Sequence, residues 1–393
     1  MRHVLAGAAG LWLLAAAMHV SGQTPGPLPG APLAGLTARE FSEFRLGLDD
    51  FTEVETAEEG LGPAFNGASC AVCHSVPAIG GGGVMLEVRA CYRDDAGAAR
   101  GLNDAGDTLI HLFSTPPHSC QPAIPDDAVV VAHRAPIPVF GAGLVEAIAD
   151  EALIALEDPD DRNRDGVSGR AAIITDLASG ERRVGRFGWK AQHATLLAFG
   201  ADAYRNEMGI TNDLFPTETA FGIGEAQMRY CDPFPDPEDR RDPATRRRGI
   251  DNFESFMKFL APVPRAVVDD RTREGERIFS AIGCAACHVP MLTTAAHAHP
   301  LFHRRPVPLF SDLLLHDVGT GDGIEQAAAG ASEIRTPALW GLRFRRPLLH
   351  DGSAATIPDA IERHGGEAGL ARRGYGELTT DERQSLLAFL RSL

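Results

Sequence analysis

Residues 67–81 read GASCAVCHSVPAIGG, and the pentad CAVCH (Cys70, Cys73 and His74) inside this stretch decides how the rest of the chain is read. Two thiols stand three positions apart with a histidine immediately behind. The same arrangement returns as CAACH (Cys284, Cys287 and His288), more than two hundred residues later. A zinc ribbon needs its two cysteine pairs within about 15–20 residues, so that one small loop closes on the metal. Zinc also gives no reason for a histidine at the same next position twice. A thioredoxin-type dithiol follows a strand in a βαβ pattern and likewise leaves the histidine idle. Covalent haem uses all three residues: the thiols add across the two porphyrin vinyl groups and the adjacent histidine becomes the proximal iron ligand. Two such motifs imply two similar sites, each holding one haem c.

At 393 residues, 44% of them hydrophobic, the chain can bury a sizeable core and hold two domains. Its first 22 residues have the form of a secretory signal, with Arg2 as the basic region, VLAGAAGLWLLAAAM as the apolar region and VSG before Gln23 as the cleavage site. An uncleaved N-terminal anchor is the alternative. No later run is apolar enough to cross a bilayer, so a soluble, periplasmic or otherwise exported protein is expected, not an integral membrane protein. Export fits c-type haem, which bacteria attach outside the cytoplasm. With 37 Lys and Arg against 53 Asp and Glu, the formal net charge of −16 argues against nucleic acid as a partner. Cys91, Cys120 and Cys231 stand apart from the motifs. In an oxidising compartment two of them would pair, Cys91 with Cys120 being the shortest closure, and the sequence leaves the choice open.

The expected fold is mainly α, with two cytochrome c-like haem domains joined by long irregular segments. Thr37 and Glu40 form a capping box for TAREFSEFRLGLDDF, with Phe41, Phe44 and Leu48 on one face. The breaker cluster CDPFPDPEDRRDPATRRRG (231–249) suggests a boundary, giving an N-terminal unit over 23–245 and a C-terminal unit over 246–393. Beyond it, IDNFESFMKFL repeats apolar residues at Ile250, Phe253, Met257 and Leu260 and stops before Pro262. TREGERIFSAIG then leads into CAACH. The chain closes with a helix that Thr379 and Glu382 cap and that buries Leu386, Phe389, Leu390 and Leu393. The glycine run 80–83 reads as a flexible turn at the edge of the first site.

Several stretches carry a resemblance. IRTPALWGLRFRRPLLHDGSAATIPDAIERHGG (334–366) resembles the TP-x-L…HDG…T-x-x-x-A stretch of bacterial di-haem cytochrome c peroxidases. GLGPAFNGASCAVCH, FGAGLVEAI, NRDGVSGR, GRFGWKAQ, NEMGIT and LLLHDVG, in that order along the chain, look like the di-haem oxidoreductase family of that superfamily. The resemblance implies one six-coordinate haem that accepts and stores electrons, a second that reacts with peroxide, and often a tryptophan between them. It implies an enzyme that reduces peroxide with electrons from a small soluble donor, a cytochrome or a copper protein. A non-catalytic di-haem electron carrier and an oxidase of a partner protein or organic substrate are the rivals.

The remaining site residues follow from chemistry and from these motifs. A histidine or methionine opposite the proximal ligand makes an electron-transfer haem, whereas an open position admits peroxide. His316 in LLLHDVG is the first candidate for such a distal ligand, or alternatively a hydrogen-bond donor to a propionate. Relatives often carry methionine where this chain has Val318. His350 in LLHDG is expected to support the haem structurally, and Met208 is a weaker ligand candidate. Trp189 is the candidate relay, with Trp340 the other tryptophan after residue 22. Lys190 beside it would pair with a propionate or, when neutral, ligate iron. Arg134, Glu146, Gln192 and Glu207 are candidates for moving a proton and stabilising the departing oxygen of peroxide. Asp161, Asn163 and Asp165, followed by Gly166, have the alternating spacing of a calcium loop, with a metal-free Asx turn as the alternative. Ala172 at the twelfth position rules out an EF-hand.

Overall fold

The computed structural model describes residues 28–393 apart from 98, 103–105, 116–119, 121–123, 219–224 and 235–239. The signal-like stretch 1–22 lies outside the described residues. Helix outweighs strand, 32% against 15%. The strands that the sequence concealed are short hairpins and one antiparallel sheet.

Helix α1 (Ala38–Thr52) begins as its capping box requires, with Thr37 accepting from the Glu40 amide and Glu40 closing back on the Thr37 amide. Its buried face is Phe44, Gly47 and Phe51, with Leu48 half-buried against the same core, whereas Phe41 is 48% exposed. The rotation has a cause. Gly47 lies so close to a second helix that a Cβ there would overlap the Asn252 carbonyl oxygen, and Phe256 is the next atom met. That second helix is not a neighbour in sequence. After α2 (Leu196–Met208), it is α3 (Gly249–Phe259), which buries Ile250, Phe253, Phe256, Met257 and then Leu260 against α1.

The same crossing is built again from α4 (Asp270–Ala281) and α5 (Thr380–Leu390). Gly275 of α4 meets the Ser385 carbonyl and Phe389 as Gly47 meets Asn252 and Phe256. Four residues beyond each glycine a phenylalanine packs on its partner: Phe51 on Phe256 at 4.7 Å between ring centroids, and Phe279 on Phe389 at 5.2 Å. Glycine at the crossing lets the helix backbones approach, and the aromatic pair one turn on fills the widening gap. Each crossing sits in its own apolar core. The larger runs from Phe44 to Trp340 and the smaller from Ile278 to Leu393. The first core takes in α3 and also later residues such as Leu292, Phe302, Leu313 and Trp340, so the two cores interleave along the sequence.

The sheet is centred on β1 (Glu87–Arg93), flanked by β2 (Ala99–Arg100), β3 (Leu109–Ile110) and β4 (Val130–Arg134). Register places Glu87 opposite Arg134 and, two residues on, Arg89 on the same face, so one sheet face presents three charged groups together. Cys91 is fully buried in β1, and the disulfide joins Cys120 to Cys231. The glycine run 80–83 is a packed turn. A Cβ on Gly81 would strike the Val76 carbonyl and one on Gly83 the Cys73 carbonyl, so the run wraps directly around the first motif. No helix among the described residues is long and apolar enough to cross a membrane.

Candidate haem sites

Each CxxCH opens with a single 3-10 turn, Cys70–Val72 and Cys284–Ala286, that brings both thiols and the histidine to one side. The histidine amide donates to the carbonyl of the first cysteine in both (3.0 Å). Both histidines are then oriented alike. His74 Nδ1–H donates to the Gly81 carbonyl at 2.9 Å and His288 Nδ1–H to the Phe310 carbonyl at 3.0 Å. That contact fixes the tautomer with a basic Nε2, the nitrogen a metal takes. Burial pushes the His288 imidazole down to about 4 and lowers His74 as well, so both rings are neutral at pH 7. Phe310 holds its carbonyl in place from a left-handed conformation (φ 52°), an arrangement that a branch-free side chain tolerates at some cost. The crossing phenylalanines flank the same rings, Phe51 at 6.1 Å from His74 and Phe279 at 6.2 Å from His288.

The first motif lines one cavity and the second motif lines a larger one. Two largely apolar cavities, each walled by a CxxCH whose thiols make no disulfide, fit a macrocycle held at each motif. Burial pushes the Cys70, Cys73 and Cys284 thiols up to about 12. In each motif both thiols and the histidine line one cavity, a donor set that fits haem.

Trp189 stands on the wall of both cavities. Its indole N–H donates to the Ala135 carbonyl at 2.8 Å, and its own carbonyl accepts from the Arg335 amide at 2.8 Å. His350 meets the ring edge-on at 6.1 Å from the other side. The first cavity also receives Arg134 and Gln192, together with Glu207 and Met208 from the end of α2. Glu207 is the most perturbed acid: burial and the neighbouring Glu87 hold it protonated well above the carboxylate range, against the Asn66 amide that donates to it at 2.9 Å and the charge of Arg89. His316 and His350 line the second cavity.

A sequence profile of the family described as "Di-haem oxidoreductase, putative peroxidase" matches residues 113–393, more than half of the chain. This chain belongs to that family. It is therefore a haem-dependent, peroxidase-like oxidoreductase. Solved structures similar to this chain include a MauG-like protein associated with microbial copper homeostasis (18% identity, 93% of this chain and 92% of that one, TM-score 0.42). Others are the diheme peroxidase BthA of Burkholderia thailandensis E264 (14%, 90% and 86%, 0.42) and the hydrazine synthase of Kuenenia stuttgartiensis (16%, 95% and 97%, 0.41). At these identities and TM-scores they carry no argument about function. No curated protein matches.

Within this di-haem oxidoreductase several expected residues occupy other places. His316 is not free to ligate: Nε2–H donates to Asp312 Oδ2 and Nδ1–H to Glu367 Oε2, both at 2.8 Å, with Cys287 Sγ at 3.7 Å beside it. Burial opposes its charge, but these three hydrogen bonds outweigh burial and push the imidazolium up to about 12. Glu146 lines neither cavity, and its carboxylate accepts from the Leu196 amide (2.7 Å) at the start of α2. Lys190 is fully buried and spends its ammonium on Asp322 (2.9 Å) and the carbonyls of Gly330 and Glu333, away from both cavities. In the 161–166 loop, Asp161 accepts from the Gly166 amide, Asn163 from Asp165 and Asp165 from Val167, which is the self-satisfied pattern of an Asx turn. Only Asp165 of the three reaches a cavity edge.

His316 gives a direct prediction. Its folded pKa of about 12 lies above the unfolded 6.5, so its stabilisation is fully present below pH 6.5 and is lost as pH rises toward 12. His316→Gln leaves Asp312 and Glu367 facing each other without the cation, at a cost of about 3–5 kcal/mol. The fall in melting temperature should be larger at pH 6 than at pH 9. An equal or greater fall at pH 9 would refute the charged assignment.

Proposed function

We propose that the chain is an exported di-haem c-type oxidoreductase that reduces peroxide with electrons from a small soluble donor. The observation that carries this reading is the pair of separate CxxCH-lined cavities sharing Trp189 as a common wall. Cys70 and Cys73 would hold one haem with His74 beneath its iron, and Cys284 and Cys287 the other with His288. Bound haem supplies reversible iron redox chemistry and activation of a peroxide oxygen.

The protein's own residues divide the rest of the work. Reducing one peroxide to two waters takes two electrons and two protons. The acid chemistry lies in the first cavity, where burial and Glu87 favour the protonated carboxyl of Glu207, which can deliver its proton to a departing oxygen. Glu87, which accepts from Arg89 Nε at 2.7 Å, lies beside it and disfavours its ionisation; solvent replaces the proton that Glu207 gives up and supplies the second one. The Gln192 amide lines the same wall and orients a bound peroxide without adding charge. Trp189 lines both cavities and is the side chain placed to relay electrons between them. The Cys120–Cys231 disulfide and the signal-like 1–22 stretch both suit export to an oxidising compartment.

A pyridine haemochrome assay on protein made in a host that attaches haem c tests the reading, followed by a peroxide titration of the spectrum. Two haems per chain and a shift or bleach of one band are expected. Two haems that ignore peroxide would leave an electron carrier, and no haem would end the proposal.

A further inference from the structure

Among the described residues every fully buried cation has a counter-charge except Arg335. Arg134 and Lys190 share Asp322, at 2.7 and 2.9 Å. Arg186 meets Asp150, and Arg170 meets Glu333. Arg335 and Arg345 have no carboxylate partner among the described residues, although both line the second cavity. Arg335 is only 4% exposed. It uses Nε on the Gly188 carbonyl (2.8 Å) and NH1 on the Thr336 carbonyl (3.1 Å), which are neutral acceptors. Arg345 is half-buried and rests over the Trp189 ring at 5.8 Å from its centroid. Asp312, the acid nearest in effect to Arg335, is already engaged by His316. Burial holds both guanidiniums down to about 10, still charged at pH 7.

Two like charges brought together in a desolvated wall are costly unless an anion joins them. The chain does not provide that anion, and the wall they form belongs to the cavity of His288. Guanidinium pairs bind carboxylates with charge-assisted, often bidentate hydrogen bonds. We propose that Arg335 and Arg345 form a carboxylate clamp for the propionates of the haem held by Cys284 and Cys287. The clamp rests on the haem reading above and adds an orientation to it: the propionate edge of that haem faces Trp189, because Arg335 holds the Trp189 main chain and Arg345 covers its ring.

The test uses the holoprotein and the variants R345Q, R335Q and R345K. The propionate bending band in resonance Raman spectra reads hydrogen bonding to that group directly, and the midpoint potential reads the lost positive charge. In R345Q the band of one haem should move to lower frequency and the midpoint potential of that haem should fall, while the other haem is unchanged. R345K, which keeps the charge, should restore most of the potential but not the band. R335Q should act on the same haem, and R345Q stands alone should R335Q not fold. Two haems per chain with both band and potential unaltered in R345Q would overturn the clamp and leave the haem reading intact. A potential that shifts with added chloride while the band stays fixed would assign the pair to a free anion and also overturn it. Absence of haem from the parent would overturn the reading beneath.

Discussion

Glu207→Gln should lower peroxide turnover by about 10²–10⁴-fold, the range a positioned acid or base contributes, while both haems stay attached. The expectation follows from where the proton sits. Glu207 is enclosed in the first cavity, held neutral first by burial and then by Glu87, and the Asn66 amide and Arg89 only partly offset this. A glutamine keeps the shape and one donor but cannot release or recover a proton. Stability should move the other way. A carboxyl whose folded pKa is raised above its unfolded value destabilises the fold at pH values above the latter, so E207Q should melt no lower than the parent at pH 7. Parent turnover should also decline on the alkaline side as Glu207 gives up its proton, and E207Q should lack that limb. Turnover within twofold of the parent, or an unchanged alkaline limb, would remove Glu207 from the chemistry.

How much of this was legible in the sequence depends on whether the signal was local. The two CxxCH pentads were, because vinyl spacing and the adjacent ligand are fixed over five residues, and the capping boxes at Thr37 and Thr379 appear in the structure as read. The helix faces were less so. Phe41 looks as apolar as Phe44, and only the close approach at Gly47 turns the helix so that Phe51 faces inward. Charge partners were illegible. Lys190 sits beside Trp189 in sequence, yet its ammonium is claimed by Asp322 from a segment 132 positions further on. His316 was taken as a ligand candidate from its motif, and nothing near it in sequence announced that Glu367 would occupy its second nitrogen. Glu87 and Arg335 were missed altogether, because each becomes meaningful only through strand pairing, Glu87 with Arg134 and Arg335 with Leu315.

Phe389→Ala and Phe256→Ala should each cost about 3–5 kcal/mol, the range for deleting a buried ring, and each should loosen a different haem. Both rings are fully buried. Phe389 packs on Phe279 at 5.2 Å and Phe310 at 5.5 Å, and Arg265 covers it at 5.2 Å. Phe279 leans on His288, and the carbonyl of Phe310 holds the Nδ1 of that histidine, so a cavity at Phe389 removes support from both sides of one proximal ligand. Phe256 packs on Phe51 at 4.7 Å and Phe44 at 5.4 Å, and Phe51 leans on His74. If the two helix crossings are equivalent devices for holding a proximal histidine, the effects must be separable. F389A should broaden or shift the low-temperature electron paramagnetic resonance signal of the His288 haem alone, and F256A that of the His74 haem alone. Thermal unfolding of each variant followed by circular dichroism measures the cost. A loss below about 1 kcal/mol in both variants, against the 3–5 kcal/mol expected of a buried ring, would refute the packing argument. Both substitutions perturbing the same haem would refute the equivalence, since a single shared core would then be carrying both sites.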